Sequence, residues 1–364
     1  MKSIIFDNIG FMLVSYICVP LLILGNITLK DKNSFQCILE KNEVIYLKGI
    51  SALFIVIHHL SQRIEMNLLV FPWIEIGKYV VALFLFISGY GLMKSQGNNS
   101  RYLNNFICNR LMKIYIPFVL SNLIMIIINI IKGDSYGIID LLFYIFGIKL
   151  IDSSMWYIIF IIFCYIIFYL SFKKTKIDRG IKILFICNII YYIFAIISKL
   201  PTVFINISFC FFIGVYFEYR EEKIINYIYN KKAKLLLINT LVCISSRILS
   251  ILIPEKYILI DMIFANVSTI FFVFTIIIML QFIKFDSKII LLLGNISFSI
   301  YLLHNKVMRI IVNINSSLYS IIIYFITLIL VSVVFNKIII SKGISNKIKG
   351  YINSKRNSIM SVKE

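Results

Sequence analysis

Apolar residues gather in blocks about 20 long along this chain, separated by short polar and basic connections. They show neither the alternation of a half-buried strand nor the narrow apolar stripe of a surface helix. Blocks of that length match the roughly 20 residues a helix needs to cross a hydrocarbon layer about 30 Å thick. They predict eleven spans, near 9–28, 46–62, 77–94, 114–132, 154–172, 181–198, 203–219, 235–253, 257–280, 289–304 and 317–336. The first block contains Pro20 and has only Lys2 ahead of it, so a retained helix, a re-entrant piece and a signal peptide compete for it. No small-x-small cleavage pattern follows, which favours a retained extra helix with Met1 outside. Segment 137–151 is apolar but short and carries Asp140 and Lys149, so it is expected at the outer interface, as the roof of a cavity. The expected fold class is all-α, a polytopic membrane helical bundle of ten helices with one extra N-terminal helix. Residues 1–45 form the extra helix and its connection, 46–336 the membrane domain, and 337–364 a basic cytoplasmic tail.

Composition agrees and narrows the choice. Of 364 residues, 60 % are hydrophobic and only 15 % charged, with a mean hydropathy of +0.93, too little charge to solvate a soluble globule of this size. The net charge of +20 would suggest nucleic acid if the basic residues shared one soluble face, but they punctuate apolar blocks. Connections 30–48, 94–113, 173–182, 220–234, 281–288 and 337–364 hold 27 of the 37 Lys and Arg residues. The positive-inside rule therefore puts those connections in the cytoplasm.

Seven cysteines form no C-x-x-C pair, and there is no phosphate-binding glycine loop, dinucleotide fingerprint or H-E-x-x-H, so neither a disulfide framework nor a metal site nor a nucleotide cofactor is indicated. Chemistry must come from the few polar residues in the spans, where ionisable groups are costly and mark cavities or pairs. His58, His59 and His304 all fall within or at the outer end of a predicted span. From Lys48 to His59 a helix rises roughly 16 Å, which sets His59 near mid-membrane, and His304 lies about 22 Å up its own span. Two imidazoles facing one cavity would suit proton transfer near neutral pH. Adjacent residues on a helix diverge by about 100°, so one of His58 and His59 is expected to be a bystander. Arg247 lies deep in span 235–253 and Asp261 begins the next helix, so an ion pair between them is expected, structural or forming a wall of an acceptor cavity. Carboxylates inside the predicted spans are confined to Glu218 and Asp261, each near an end, which disfavours a proton-coupled transporter.

At this point the sequence resembles the acyltransferase 3 family, bacterial integral-membrane acyltransferases that decorate surface polysaccharides. LKGISALFIVIHHL carries the family's basic residue, ten intervening residues and histidine, as Lys48 and His59, with Lys where Arg is usual. ALFLFISGYGLM around Ser88 is similar to its Ser-Gly signature. NRLMKIYIPF resembles R-x-x-R-x-x-P through Arg110, Lys113 and Pro117, with Lys113 for the second Arg. GNISFSIYLLH resembles S-x-S-x-Y-L-x-H through Ser297, Tyr301 and His304. Trp156 heads a helix that matches the tryptophan-led helix of the family, without the Glu many members carry a few residues later.

The resemblance implies transfer of an acyl group, commonly acetyl, from cytoplasmic acyl-CoA to a sugar hydroxyl of an extracytoplasmic polysaccharide or glycolipid in a bacterial cell membrane, with no bound cofactor. His59 would be the catalytic base or acyl carrier, helped by Lys48. Arg110, Lys113 and Ser88 would serve the donor, whose phosphates favour cationic partners. His304, Tyr301, Ser297, Arg247, Asp261 and Trp156 would stand on the acceptor side or be structural, and Trp73, Trp156 and Tyr157 would stack on sugars or form an interfacial belt. The alternatives are a polysaccharide exporter or flippase without acyl chemistry, and a succinyl donor in place of acetyl.

Overall fold

The computed structural model describes residues 8–25, 27–30, 39–99, 101–311 and 318–341. Helix α1 (Ile9–Leu24) contains a π turn at Val14–Cys18, just ahead of Pro20. Proline offers no N–H to the carbonyl four residues back, and a wider turn absorbs that mismatch. Strand β1 (Ile27–Leu29) follows, then α2 (Lys41–Ser61) and α3 (Phe71–Asn98), the two most buried long helices. Next come α4 (Met112–Ile131), the short α5 (Ile138–Phe146), α6 (Trp156–Phe172), α7 (Ile177–Ile197) and α8 (Phe209–Tyr219). The long α9 (Glu221–Leu252), α10 (Ile258–Met279), strand β2 (Ile283–Phe285), α11 (Lys288–Asn295), α12 (Ser297–Ile311) and α13 (Leu318–Phe335) complete the described chain.

Among the described residues nine helices are long and apolar enough to cross a membrane, ten if α11 and α12 make one broken span. The protein is a polytopic helical bundle. Its peripheral helices α7, α9 and α13 turn residues such as Ile190, Leu237 and Leu330 outward, each at least 60 % exposed, a surface suited to lipid and not to water. Apolar attraction cannot hold helices together in lipid, so close packing must. Glycines supply it: a Cβ on Gly89 would fall 2.2 Å from the Phe211 carbonyl oxygen, and one on Gly214 2.1 Å from that of Phe86, where α3 crosses α8. Gly49 and Gly294 play the same part between α2 and α11. The glycines of the two signatures around Ser88 and Ser297 are thus packing residues.

Connections gather at two ends of the bundle, as alternate crossing requires. At one end β1 pairs antiparallel with β2, Lys94 meets Glu221, and the Tyr219 hydroxyl donates to Asp178. At the other, Tyr16 donates to the Leu69 carbonyl and Arg309 pairs with Asp134. The N-terminal segment is stitched onto the bundle by β1, by buried Phe11 and by Lys30 paired with Glu43.

Several expected boundaries move. Helix α2 starts at Lys41 because Glu40 and Glu43 form a capping box ahead of the apolar block. Helix α3 starts at Phe71, and so takes in Glu75 as well as the expected apolar stretch. Helix α9 begins at Glu221, its polar first turns extending beyond the apolar block, with a kink at Lys231. Helix α1 stops at Leu24, shorter than a crossing normally takes. Segment 138–146 is a short helix whose Tyr144 carbonyl accepts from Asn122 of α4; it lines neither cavity described below, so its expected roofing role has no counterpart. Span 289–304 is not straight. The chain turns by 77° between α11 and α12, and the Ser297 hydroxyl donates to the freed Gly294 carbonyl at 2.8 Å. The 22 Å rise for His304 therefore does not hold, and α12 runs on to Ile311. Met1, Cys37 and residues 342–364 of the expected tail lie outside the described residues.

Candidate active site

Two chambers of about 220 Å³ each lie along α2. The first contains Lys48, Ser88, Tyr165 and Ser297, the second His58, His59, Gln62, Glu75, Lys78 and Trp156. Ile55, Val81, Tyr157 and Tyr301 line both, so the chambers share a wall. Tyr157 and Tyr301 meet edge to face across it, ring centroids 5.6 Å apart. Helical rise alone separates Lys48 from His59 by about 16 Å, so a single helix places its basic residue in one chamber and its imidazole in the next.

The histidine chamber is ordered by one amide. The His59 Nδ1–H donates to Gln62 Oε1 at 3.2 Å, while Gln62 Nε2 donates to His58 Nε2 at 3.1 Å. His58 Nδ1–H in turn donates to the Trp73 carbonyl at 3.2 Å. These bonds fix a tautomer in which His59 Nε2 keeps its lone pair, with no partner among the described residues, at the chamber wall. Gly77 makes the room: a Cβ there would lie 2.5 Å from His58 Nε2. Contrary to expectation, His58 and His59 both line this chamber, with centroids 4.8 Å apart, because their side chains swing toward each other across the divergence of their Cα–Cβ bonds.

His304 stacks on His59 at a centroid distance of 4.6 Å and an interplanar angle of 26°. It is fully buried, its Nδ1 bonds the Tyr301 carbonyl at 2.6 Å, and its Nε2 has no partner among the described residues. Beneath it Lys306 pairs with Asp152 at 2.8 Å, both side chains at most 3 % exposed. The other oxygen of Asp152 accepts from the Ser154 hydroxyl at 2.7 Å and from Asn305 at 2.9 Å. Burial alone would raise the Asp152 carboxyl, but Lys306 and His304 outweigh it and hold the group below its ordinary value of 3.8. Tyr301 donates to the Ser154 carbonyl, so this charged node also anchors the wall between the chambers.

On the Lys48 side, Ser88 and Tyr165 share a hydrogen bond of 2.6 Å. No carboxylate contacts Lys48 or Arg110 among the described residues; Arg110 holds only the Tyr102 hydroxyl, at 2.6 Å, and the Ser95 hydroxyl, at 3.2 Å. Arg110 is close enough for its charge to act on Lys48. Lys113 is exposed on α4, apart from both chambers. Lys94 is tied to Tyr90 and Glu221, and Arg101 is exposed.

The expected Arg247–Asp261 pair is not formed. Arg247 reaches instead to Glu75 Oε2, 2.6 Å away on α3, and meets Asp261 only through Ser250, at 2.8 Å from Arg247. Lys78 contacts the same Glu75 oxygen at 2.7 Å. Carboxylates within the helices are therefore not confined to Glu218 and Asp261, since Glu75 and Glu43 belong to α3 and α2. Trp156 stands in the histidine chamber, edge-on to Phe204 at 5.1 Å.

Glu75, Lys78, Gln62, Asp152 and Lys306 were not singled out by sequence reasoning. Glu75 and Lys306 carried a signal, since each is an ionisable residue within a turn of an apolar block and thereby demands a partner. Asp152 sits in a connection and Gln62 is the last residue of its predicted span, places where a polar residue is ordinary and only contact reveals a role.

A family model described as an acyltransferase domain, that of acyltransferase 3, matches residues 41–339. No curated protein matches the chain, and no solved structure does.

Proposed function

The chain belongs to the acyltransferase 3 family, and from that premise we propose that it transfers an acyl group, acetyl in the first instance, from cytoplasmic acyl-CoA to a hydroxyl of an envelope polysaccharide or glycolipid on the opposite face of a bacterial cell membrane. The observation that carries this reading is the pair of chambers with one shared wall, the Lys48 ammonium at one and the His59 imidazole at the other. The basic connections orient the Lys48 end toward the cytoplasm.

Among the described residues Lys48 and Arg110 have no carboxylate to neutralise them, and they suit the phosphates of CoA. The thioester enters the apolar first chamber and reaches the wall at Tyr157 and Tyr301. A sugar hydroxyl in the second chamber gives its proton to His59 Nε2 as its oxygen attacks the thioester carbonyl carbon. The carbon–sulfur bond breaks, the CoA thiolate leaves, and the proton on His59 returns to it, giving ester and free CoA. Gln62 serves this step by holding Nδ1–H, so that Nε2 is the basic nitrogen.

Mass analysis of envelope polysaccharides from cells carrying the wild type or His59→Ala, at matched membrane levels, tests the proposal. Ester groups should be present with the first and missing with the second; equal ester content would reject it.

A further inference from the structure

Resting on the acyl-transfer reading above, we propose that the Glu75 wall of the histidine chamber is the acceptor subsite and that it selects an uncharged pyranose unit over an acidic one. Both cations around Glu75 spend themselves on the same oxygen: Lys78 lies 2.7 Å and Arg247 2.6 Å from Oε2. The second oxygen, Oε1, has no partner among the described residues and is not occluded, on a side chain 24 % exposed that lines the chamber. A carboxylate that meets two cations through one oxygen and leaves the other open to a cavity is an acceptor waiting for hydroxyl donors.

The charge balance sets the class of ligand. Glu75 and Asp261, the latter joined through Ser250, offset Lys78 and Arg247, so the wall carries no excess positive charge for an anionic sugar. An acidic sugar entering here would bring its carboxylate against the open oxygen of Glu75, whereas a neutral one brings hydroxyl protons. Arg247 Nε is buried and has no partner among the described residues, so part of the donor capacity of the guanidinium stays unused. Trp156 supplies an aromatic surface in the same chamber, and His59 Nε2 opens into it, so a ring gripped at Glu75 presents its other hydroxyls toward the base.

The test needs no donor and no turnover. Binding of methyl glucoside and of methyl glucuronide, the methyl glycoside of glucuronate with a free carboxylate, which differ only at C6, is followed by saturation-transfer NMR on the full chain in lipid nanodiscs, with wild type and Glu75→Gln. The glucoside should bind saturably, the glucuronide at least about tenfold more weakly, and Glu75→Gln should weaken the glucoside while narrowing the gap between the two. Glu75→Gln preserves the shape of the side chain, and the wild-type comparison stands even if that variant is unstable. Equal or tighter glucuronide binding, no saturable glucoside binding, or a folded Glu75→Gln protein that binds glucoside as wild type does would each overturn the proposal. Because no acyl group is moved, a chain that showed this selectivity yet acylated nothing would refute the acyl-transfer reading and leave the subsite standing.

Discussion

Replacing Lys306 by Met isolates the charged node under the two stacked imidazoles. The substitution keeps most of the apolar stem and deletes the ammonium that sits 2.8 Å from Asp152. At that distance and an effective dielectric of about 20, the lost attraction is about 6 kcal/mol. Asp152 keeps Ser154 and Asn305 on its other oxygen but is left as a buried charge without its ion-pair partner. The expected loss is about 3–5 kcal/mol, the range for breaking a buried pair from one side. Asp152→Asn should cost a comparable amount, and the double variant should recover most of it, giving a coupling of at least about 2 kcal/mol. Denaturant unfolding of the purified protein in detergent reads all four states of the cycle. The sign of the pH dependence is fixed too: the folded carboxyl titrates below its ordinary 3.8, so its contribution is complete above that value and is lost only as pH falls through the lower, folded one. The cost of Asp152→Asn should therefore be flat from about pH 5 to pH 8. A Lys306→Met loss under about 1 kcal/mol, or additive single costs, would refute the reasoning.

Three further perturbations separate the parts of the site. Lys48→Ala and Arg110→Ala should each raise the apparent KM for acyl-CoA about tenfold or more, from the roughly 1.5–3 kcal/mol of a charged contact, with Lys48→Arg near wild type; unchanged KM in both alanine variants would remove the donor site. Gln62→Leu should lower kcat by about ten- to a hundredfold with the acyl-CoA KM held, since it frees the His59 tautomer without touching the donor chamber; a wild-type kcat would show the amide to be idle. Gly77→Ala should destabilise the fold by about 1–3 kcal/mol and depress transfer together, because the added Cβ collides with His58, and a melting curve matching wild type would contradict the packing argument.

The membrane bundle was legible because apolar blocks of crossing length are a one-dimensional signal, and the lysines and arginines between them order its ends. Hydropathy failed where polar residues continue a helix: α3 begins early enough to hold Glu75, and α12 runs past His304 to Lys306 because Asp152 waits across the gap to pair with it. It also read the bend at Ile296 as straight, since both halves are apolar and Ser297 satisfies the break from within. The expectation that His59 and His304 face one cavity does not hold: His304 stacks on His59 but is buried and lines neither chamber, while His58 converges with His59 through Gln62, which joins the two rings. Arg247 was recognised as needing a carboxylate; which one it takes is a matter of helix packing, invisible in a linear chain.

Transfer across the shared wall is measured most directly with the purified protein reconstituted in sealed vesicles, radiolabelled acetyl-CoA being supplied to one face and a neutral glycan to the other. Labelled glycan should form only when the donor is on the face where Lys48 and Arg110 lie and the acceptor on the face of His59, and none should form with His59→Ala. Labelling that requires donor and acceptor on the same face, or that survives His59→Ala, would contradict a two-sided reaction centred on that imidazole.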